Sequence, residues 1–263
     1  MGRLQGKVAI VTGAGQGIGR GIARRFAAEG AALVVAERDR ASGQAVADEI
    51  TGELGGRATF LATDVSDKAQ VAAMVEEAVA AYGRVDILVN NAWGGGTFCR
   101  LEHKADADLQ RGLQVALFGA FWAMQAVFPH MRRQGGGRII ALCSLNGVNA
   151  HLYTAEYNSA KEALRALTRT AAREWARHNI LANVICPAAA TPAYEAFRTF
   201  DPDNAAALLR QNPMGRMGDP ERDIGGVALF LASDDAAYVT GNTIYADGGS
   251  HINGVAWAPE LPD

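Results

Sequence analysis

Val8-Ala-Ile-Val-Thr-Gly-Ala-Gly-Gln-Gly-Ile-Gly19, near the start of the 263-residue chain, passes from a short β-branched run into a glycine cluster and then into a stretch with helical periodicity. A strand that turns sharply on glycine into a helix opens a β/α fold. Working outward, the alternation continues. Apolar runs fall at 8–11, 33–35, 58–61, 85–89, 138–142 and 181–185, and helical periodicity at 18–29, 42–50, 68–82, 106–133, 155–178 and 221–232. Each helical stretch is long enough for a crossover, so the pattern predicts a doubly wound parallel sheet covered on both faces.

No linker or repeat divides the chain, so residues 1–250 are read as one domain, followed by a short tail, 251–263, containing Trp257, Pro259 and Pro262. An apolar tail of this kind is expected to pack on a neighbour. The least regular region, 188–220, holds four of the eight prolines and the aromatics Tyr194, Phe197 and Phe200, and is predicted to be a loop or lid.

Composition narrows the function. With 49% hydrophobic and 20% charged residues of both signs the chain is not of the disordered class, and 30 glycines without a three-residue period exclude collagen. The net charge is −3 and no basic run exceeds two residues, so neither nucleic acid nor an anionic bilayer is an expected partner. A small neutral or weakly charged ligand is. Cys99, Cys143 and Cys186 are widely spaced and form no CxxC pair, which points to a reducing cytoplasm without a structural metal. The N-terminus lacks the apolar core of a signal peptide. No uninterrupted apolar stretch approaches the roughly 18 to 20 residues of a membrane span, and the protein is expected to be soluble.

Two constellations carry chemistry. Glycines 13, 15, 17 and 19 let the backbone turn tightly and approach a pyrophosphate, whose charge would sit at the positive end of the following helix. Glu37, closing the second strand, stands where a carboxylate would accept the hydroxyls of an adenosine ribose and repel a 2′-phosphate, so NAD is expected over NADP. Arg38 opposes that preference, because a guanidinium can pair with the extra phosphate. The second group is Ser144, Tyr157 thirteen residues on, and Lys161 four residues further. Tyr157 and Lys161 share a helix face, and a nearby ammonium is expected to lower the tyrosine pKa and make it a usable acid or base.

With these residues in hand, the sequence resembles the short-chain dehydrogenase/reductase family from Gly6 to about Gly249. The matching pieces are Thr12-Gly-x-x-x-Gly-x-Gly19, Asp64-Val65, Asn90-Asn91-Ala92, Ser144, Tyr157-x-x-x-Lys161, Asn183 to Pro187, and Thr240-Gly241 through Asp247-Gly-Gly249. The resemblance implies about seven strands in the order 3-2-1-4-5-6-7. It implies Tyr157 as catalytic acid/base, Ser144 on the substrate oxygen, and Lys161 on the nicotinamide ribose. Gly13, Gln16, Gly17, Ile18, Gly19, Glu37, Val65, Pro187 and Thr191 are further implied as cofactor contacts, with Asp64 at the adenine and Asn90 beside the cofactor. A homotetramer or dimer is implied too, with helix 155–178 an interface element and the Trp257 tail reaching a partner.

Three departures stand out. Ala116 replaces the Asn that normally belongs to the proton relay, leaving a catalytic triad, and Gly112 and Gly119 flank it. The expectation is that the main-chain carbonyl at 116 still holds a relay water and that turnover survives. Trp93 ends the Asn-Asn-Ala motif where the family has Gly, placing a large ring near the cofactor edge. Pro187-Ala188 replaces Pro-Gly, and Thr191 follows one residue early, which weakens its expected contact with the nicotinamide carboxamide. Trp93, Leu145, His151, Tyr194, Phe197 and Phe200 are the expected pocket, His151 standing either in its wall or simply exposed. The whole predicts NAD-dependent hydride transfer at a secondary alcohol or ketone, with an apolar or cyclic substrate. Rival readings are a 3-oxoacyl-thioester reductase, a cyclic dihydrodiol dehydrogenase, and a cofactor-binding regulator without turnover.

Overall fold

Seven parallel strands form one sheet in the order β3-β2-β1-β4-β5-β6-β7: β1 (Val8–Thr12), β2 (Ala32–Glu37), β3 (Arg57–Ala62), β4 (Ile87–Asn90), β5 (Gly137–Leu142), β6 (Ile180–Pro187) and β7 (Thr243–Ala246). The computed structural model describes residues 2–252, so Trp257, Pro259 and Pro262 lie outside the described residues. Strands buried on both faces must be apolar almost throughout, and β1, β4 and β6 are.

Side chains alternate between two cores. One face packs Val11, Leu33, Val35, Val89 and Ile140 against α1 (Gly17–Ala28), α2 (Arg40–Gly52) and α10 (Gly225–Ala232). The other sets Ile10, Val34, Leu88 and Ile139 against α3 (Lys68–Tyr82), α5 (Gly119–Arg133) and α7 (Ala155–Trp175). Asp106–Arg133, 28 residues, is long and apolar enough by composition to cross a membrane. Its residues Ala120, Ala123, Met124, Val127 and Met131 are instead part of this second core.

Several predicted elements differ from the structure. The run 106–133 is not one regular helix: α4 (Asp106–Gly112) passes into a π-helical segment, Leu113–Phe118, before α5. The Gly119 N–H reaches back five residues to the Gln114 carbonyl. The region 188–220 is also more regular than a loop. It contains α8 (Pro192–Phe200), capped by Thr191, and α9 (Pro202–Arg210), capped by Asp201. Of the prolines read as loop signals, Pro192, Pro202 and Pro220 stand at first helical positions, where their missing N–H costs nothing. The predicted helix 221–232 likewise opens as a π-helical turn, Pro220–Ile224, before α10, and a short α6 (Leu145–Val148) stands in the β5–α7 connection.

Strand order reverses between β1 and β4, and ligands of such sheets bind outside the carboxyl ends of the strands at that point. Thr12, Asn90 and Pro187 end β1, β4 and β6, and Ser144 follows β5 by two residues.

Candidate active site

Close neighbours require glycine at most positions of the turn, and a positive φ of 54° requires it at Gly17. A Cβ on Gly13 would stand 2.8 Å from the Ala92 Cα, and one on Gly19 2.2 Å from the Gly13 carbonyl oxygen. Asn91, which sequence reasoning passed over as a site residue, braces the turn: its Nδ2 donates to the carbonyls of Thr12 (2.9 Å) and Gly13 (3.0 Å). Thr12 Oγ1 accepts from the amides of Asn91 and Ala92. The N-cap of α1, Gln16, supplies no side-chain cap, so the leading amides at Gly17, Ile18 and Gly19 keep their positive end for an anion.

Glu37 is fixed beside this turn. Its Oε2 accepts from Gly15 N–H (3.1 Å) and its Oε1 from the amides of Arg38 (2.7 Å) and Asp39 (3.1 Å). Asp64 Oδ1 accepts from the Ser66 hydroxyl and amide, and these bonds hold its carboxyl below the ordinary range, with Arg38 adding a smaller attraction. Val65 is buried where a Cβ on Gly119 would meet its carbonyl oxygen at 2.7 Å. Thr191 lies near Gly17, its Cγ2 3.5 Å from where a Cβ would be. Buried Asn90 Nδ2 has no partner among the described residues. An uncapped helix end, a glycine cradle and a free amide on one edge fit a dinucleotide.

Ser144 is buried, in extended conformation, and caps α6 through its Oγ, which accepts from Asn146 N–H (3.1 Å). Tyr157 and Lys161 share a face of α7, with Lys161 Nζ 5.7 Å from the Tyr157 ring centroid. Lys161 Nζ donates to the Leu142 carbonyl at the end of β5 (2.8 Å). The expected lowering of the Tyr157 pKa is not what the structure gives. Burial pushes Tyr157 up, hydrogen bonding with Ser144 only partly offsets it, and burial also pushes Lys161 down. Desolvation penalises both charged forms and is the largest cause of each shift.

The Trp93 ring meets Tyr157 edge to face, centroids 4.7 Å apart at 80°, and lies 5.9 Å from Lys161 Nζ. Leu145 is half-buried and His151 exposed, its carbonyl accepting from Asn158 Nδ2 (2.8 Å). The connection around His151 holds Ala150 and Tyr153 in left-handed backbone, φ 52° and 68°. Tyr194 and Phe197 pair on α8, centroids 6.5 Å apart. Phe200, the last residue of α8, is 89% exposed. Cys143 is buried and its thiol pushed up to about 12 by burial, so it is a core residue rather than a nucleophile.

Sequence reasoning also missed Glu156. It stands in the buried face of α7 with Ala160 and Leu164, and an acid at i, i+4, i+8 spacing with core residues is the signal that marks it.

Comparison with known proteins agrees with this geometry. A family model described as Enoyl-(Acyl carrier protein) reductase matches residues 13–251. The 12alpha-hydroxysteroid dehydrogenase of Clostridium sp. is 37% identical over 95% of this chain and 98% of its own. The 7alpha-hydroxysteroid dehydrogenase of Escherichia coli K12 is 38% identical over 94% and 95%. A solved 7 alpha-hydroxysteroid dehydrogenase complexed with NADH and 7-oxo glycochenodeoxycholic acid superposes with a TM-score of 0.88 at 37% identity, covering 94% of this chain and 95% of that one. The chain belongs to the short-chain dehydrogenase/reductase family. It is an oxidoreductase that moves a hydride between a nicotinamide cofactor and a secondary alcohol or ketone.

Proposed function

We propose that the protein uses NAD(H) to interconvert a secondary alcohol and its ketone on an apolar, multi-ring substrate. The reading is carried by the gathering of Ser144, Tyr157 and Lys161 at the carboxyl end of β5, with the Trp93 ring across them. Bound nicotinamide supplies the hydride for reduction and accepts it in oxidation. In reduction Tyr157 donates its phenolic proton to the substrate oxygen, which Ser144 holds by a hydrogen bond, and in oxidation Tyr157 takes that proton back. Lys161 orients the cofactor ribose and favours phenolate.

An apolar rim supports the substrate class. Phe98 and Leu101, from the β4–α4 connection, and Leu152 and Tyr153, from the β5–α7 connection, are all exposed. The Cys99 N–H donates to the Tyr153 carbonyl (3.2 Å), so the two connections meet. Two dehydrogenase relatives named for hydroxysteroids support it as well. Glu37 supports NAD. Three free thiols support a reducing cytoplasm, the hydroxysteroid dehydrogenase relatives support a small-molecule substrate, and the family resemblance supports a homo-oligomer.

NADH fluorescence with a panel of single-ring and multi-ring alcohols and ketones tests the reading. Turnover is expected, and Tyr157→Phe lowers it by about 10² or more while NAD binding stays nearly unchanged. Binding without turnover of any panel member would select the regulator, and a Tyr157→Phe variant with most of its activity would remove the acid/base assignment.

A further inference from the structure

The chemistry above leaves one buried charged pair unused. Glu156 immediately precedes Tyr157 on α7, and Lys104 lies in the β4–α4 connection; their side chains are 2% and 5% exposed, with Nζ 2.7 Å from Oε2. Both converge on the backbone of a single residue, on the two peptide groups that flank it. Glu156 Oε1 accepts from the Thr97 N–H (3.0 Å), and Lys104 Nζ donates to the Thr97 carbonyl.

A buried ion pair gains little stability over an apolar pair of the same volume. What this one fixes is position. The backbone is shaped to let it close: a Cβ on Gly96 would lie 2.3 Å from Glu156 Oε1, and one on Gly112, where the π segment begins, 3.0 Å from the Glu156 carbonyl oxygen. Between Trp93 and Thr97 stand only Gly94, Gly95 and Gly96, with Gly95 at φ 82°. Three glycines are a permissive tether that fixes nothing itself. Trp93 is therefore held at one end by β4 and at the other by the grip on Thr97, and its ring rests on Tyr157.

We propose that Lys104 and Glu156 form a positioning clasp that, through the Thr97 backbone, sets where Trp93 lies across Tyr157, and that Trp93 so placed limits substrate bulk on that side of the site. The part concerning substrate rests on the proposed function; the clasp does not.

The test uses the full chain as the parent, Trp93→Gly, the neutral pair Lys104→Met/Glu156→Gln, and the three changes combined. The neutral pair avoids leaving one buried charge alone. Cyclohexanol and a hydroxysteroid are compared by kcat and KM at saturating NAD. Trp93→Gly is expected to shift the ratio of kcat/KM values toward the larger substrate by about tenfold. The neutral pair shifts it the same way by about threefold or more, through KM, and adds nothing further once Trp93 is Gly. Equal loss on both substrates, or a further shift in the combined variant, would reduce the pair to a structural prop and overturn the proposal.

Acrylamide quenching gives a readout that needs no turnover. The contribution of indole 93 is the difference between each protein and its Trp93→Phe counterpart, and it is expected to become more quenchable in the neutral pair. Unchanged quenching overturns the clasp. If the parent turns over neither alcohol, the substrate reading has failed and quenching alone decides the clasp.

Discussion

Glu37 is occupied before any ligand arrives, accepting three backbone N–H bonds, and so presents a fixed negative charge at the end of β2. NAD should exceed NADP in kcat/KM by at least about tenfold, roughly 1.4 kcal/mol. Initial rates with both cofactors check this, and equal use would hand control to Arg38. The direction of the Tyr157 shift gives a second outcome. Burial favours the neutral phenol, so the phenolate absorbance that disappears in Tyr157→Phe should grow in only above the ordinary tyrosine value of about 10. Oxidation, which needs phenolate, should rise with pH, and reduction should fall over the same range. A titration centred near neutrality would show that Lys161 outweighs burial. At this scale the sequence shows which residues are present but not their solvation. Ser144, Tyr157 and Lys161 were legible from spacing and family resemblance, whereas the sign of the pKa shift depends on how deeply α7 packs. Glu156 shows the same limit: its helical period marks it as buried, but Lys104 lies 52 positions away and is joined to it only by the fold.

Strands and crossovers were legible because an alternation of β-branched runs and 3.6-residue periods has few other solutions. Helix interruptions were not. The π segment Leu113–Phe118 has no proline to announce it, and it is made possible by flanking glycines, one of which packs on Val65. It supplies a distortion where the family's Asn is replaced by Ala116. Beside Ala116 lies a cavity with about 10 Å³ open to a water's centre, bordered by Thr12, Asn90, Gly119 and Leu164. That is about the space one water needs, and the unpartnered Asn90 Nδ2 offers it a donor. A high-resolution cofactor complex should therefore show an ordered water on the residue 116 carbonyl, within reach of Lys161, in an enzyme that turns over. An empty cavity together with absent turnover would favour the regulator. The helices within 188–220 were hidden for a related reason: Pro192 and Pro202 act as helix starts only because Thr191 and Asp201 precede them as caps.

Across the whole molecule, two apolar cores lock the sheet, and the chemistry sits on connections at one edge of it. One of those connections works against its own backbone. Ala150 and Tyr153 keep left-handed φ angles that cost non-glycine residues on the order of 1–3 kcal/mol each. Bonds from Asn158 and Thr154 to the His151 carbonyl, and from Cys99 to that of Tyr153, hold them there. The consequence is a trade between durability and function. Ala150→Gly should leave the melting temperature unchanged or raise it by a few degrees, since glycine removes the penalty, while KM for the alcohol rises because the loop must then be ordered by the substrate itself. Calorimetry and steady-state kinetics on one preparation measure both. The chain holds a costly conformation in this connection, and a variant that gains in both respects would show that the strain there has no use.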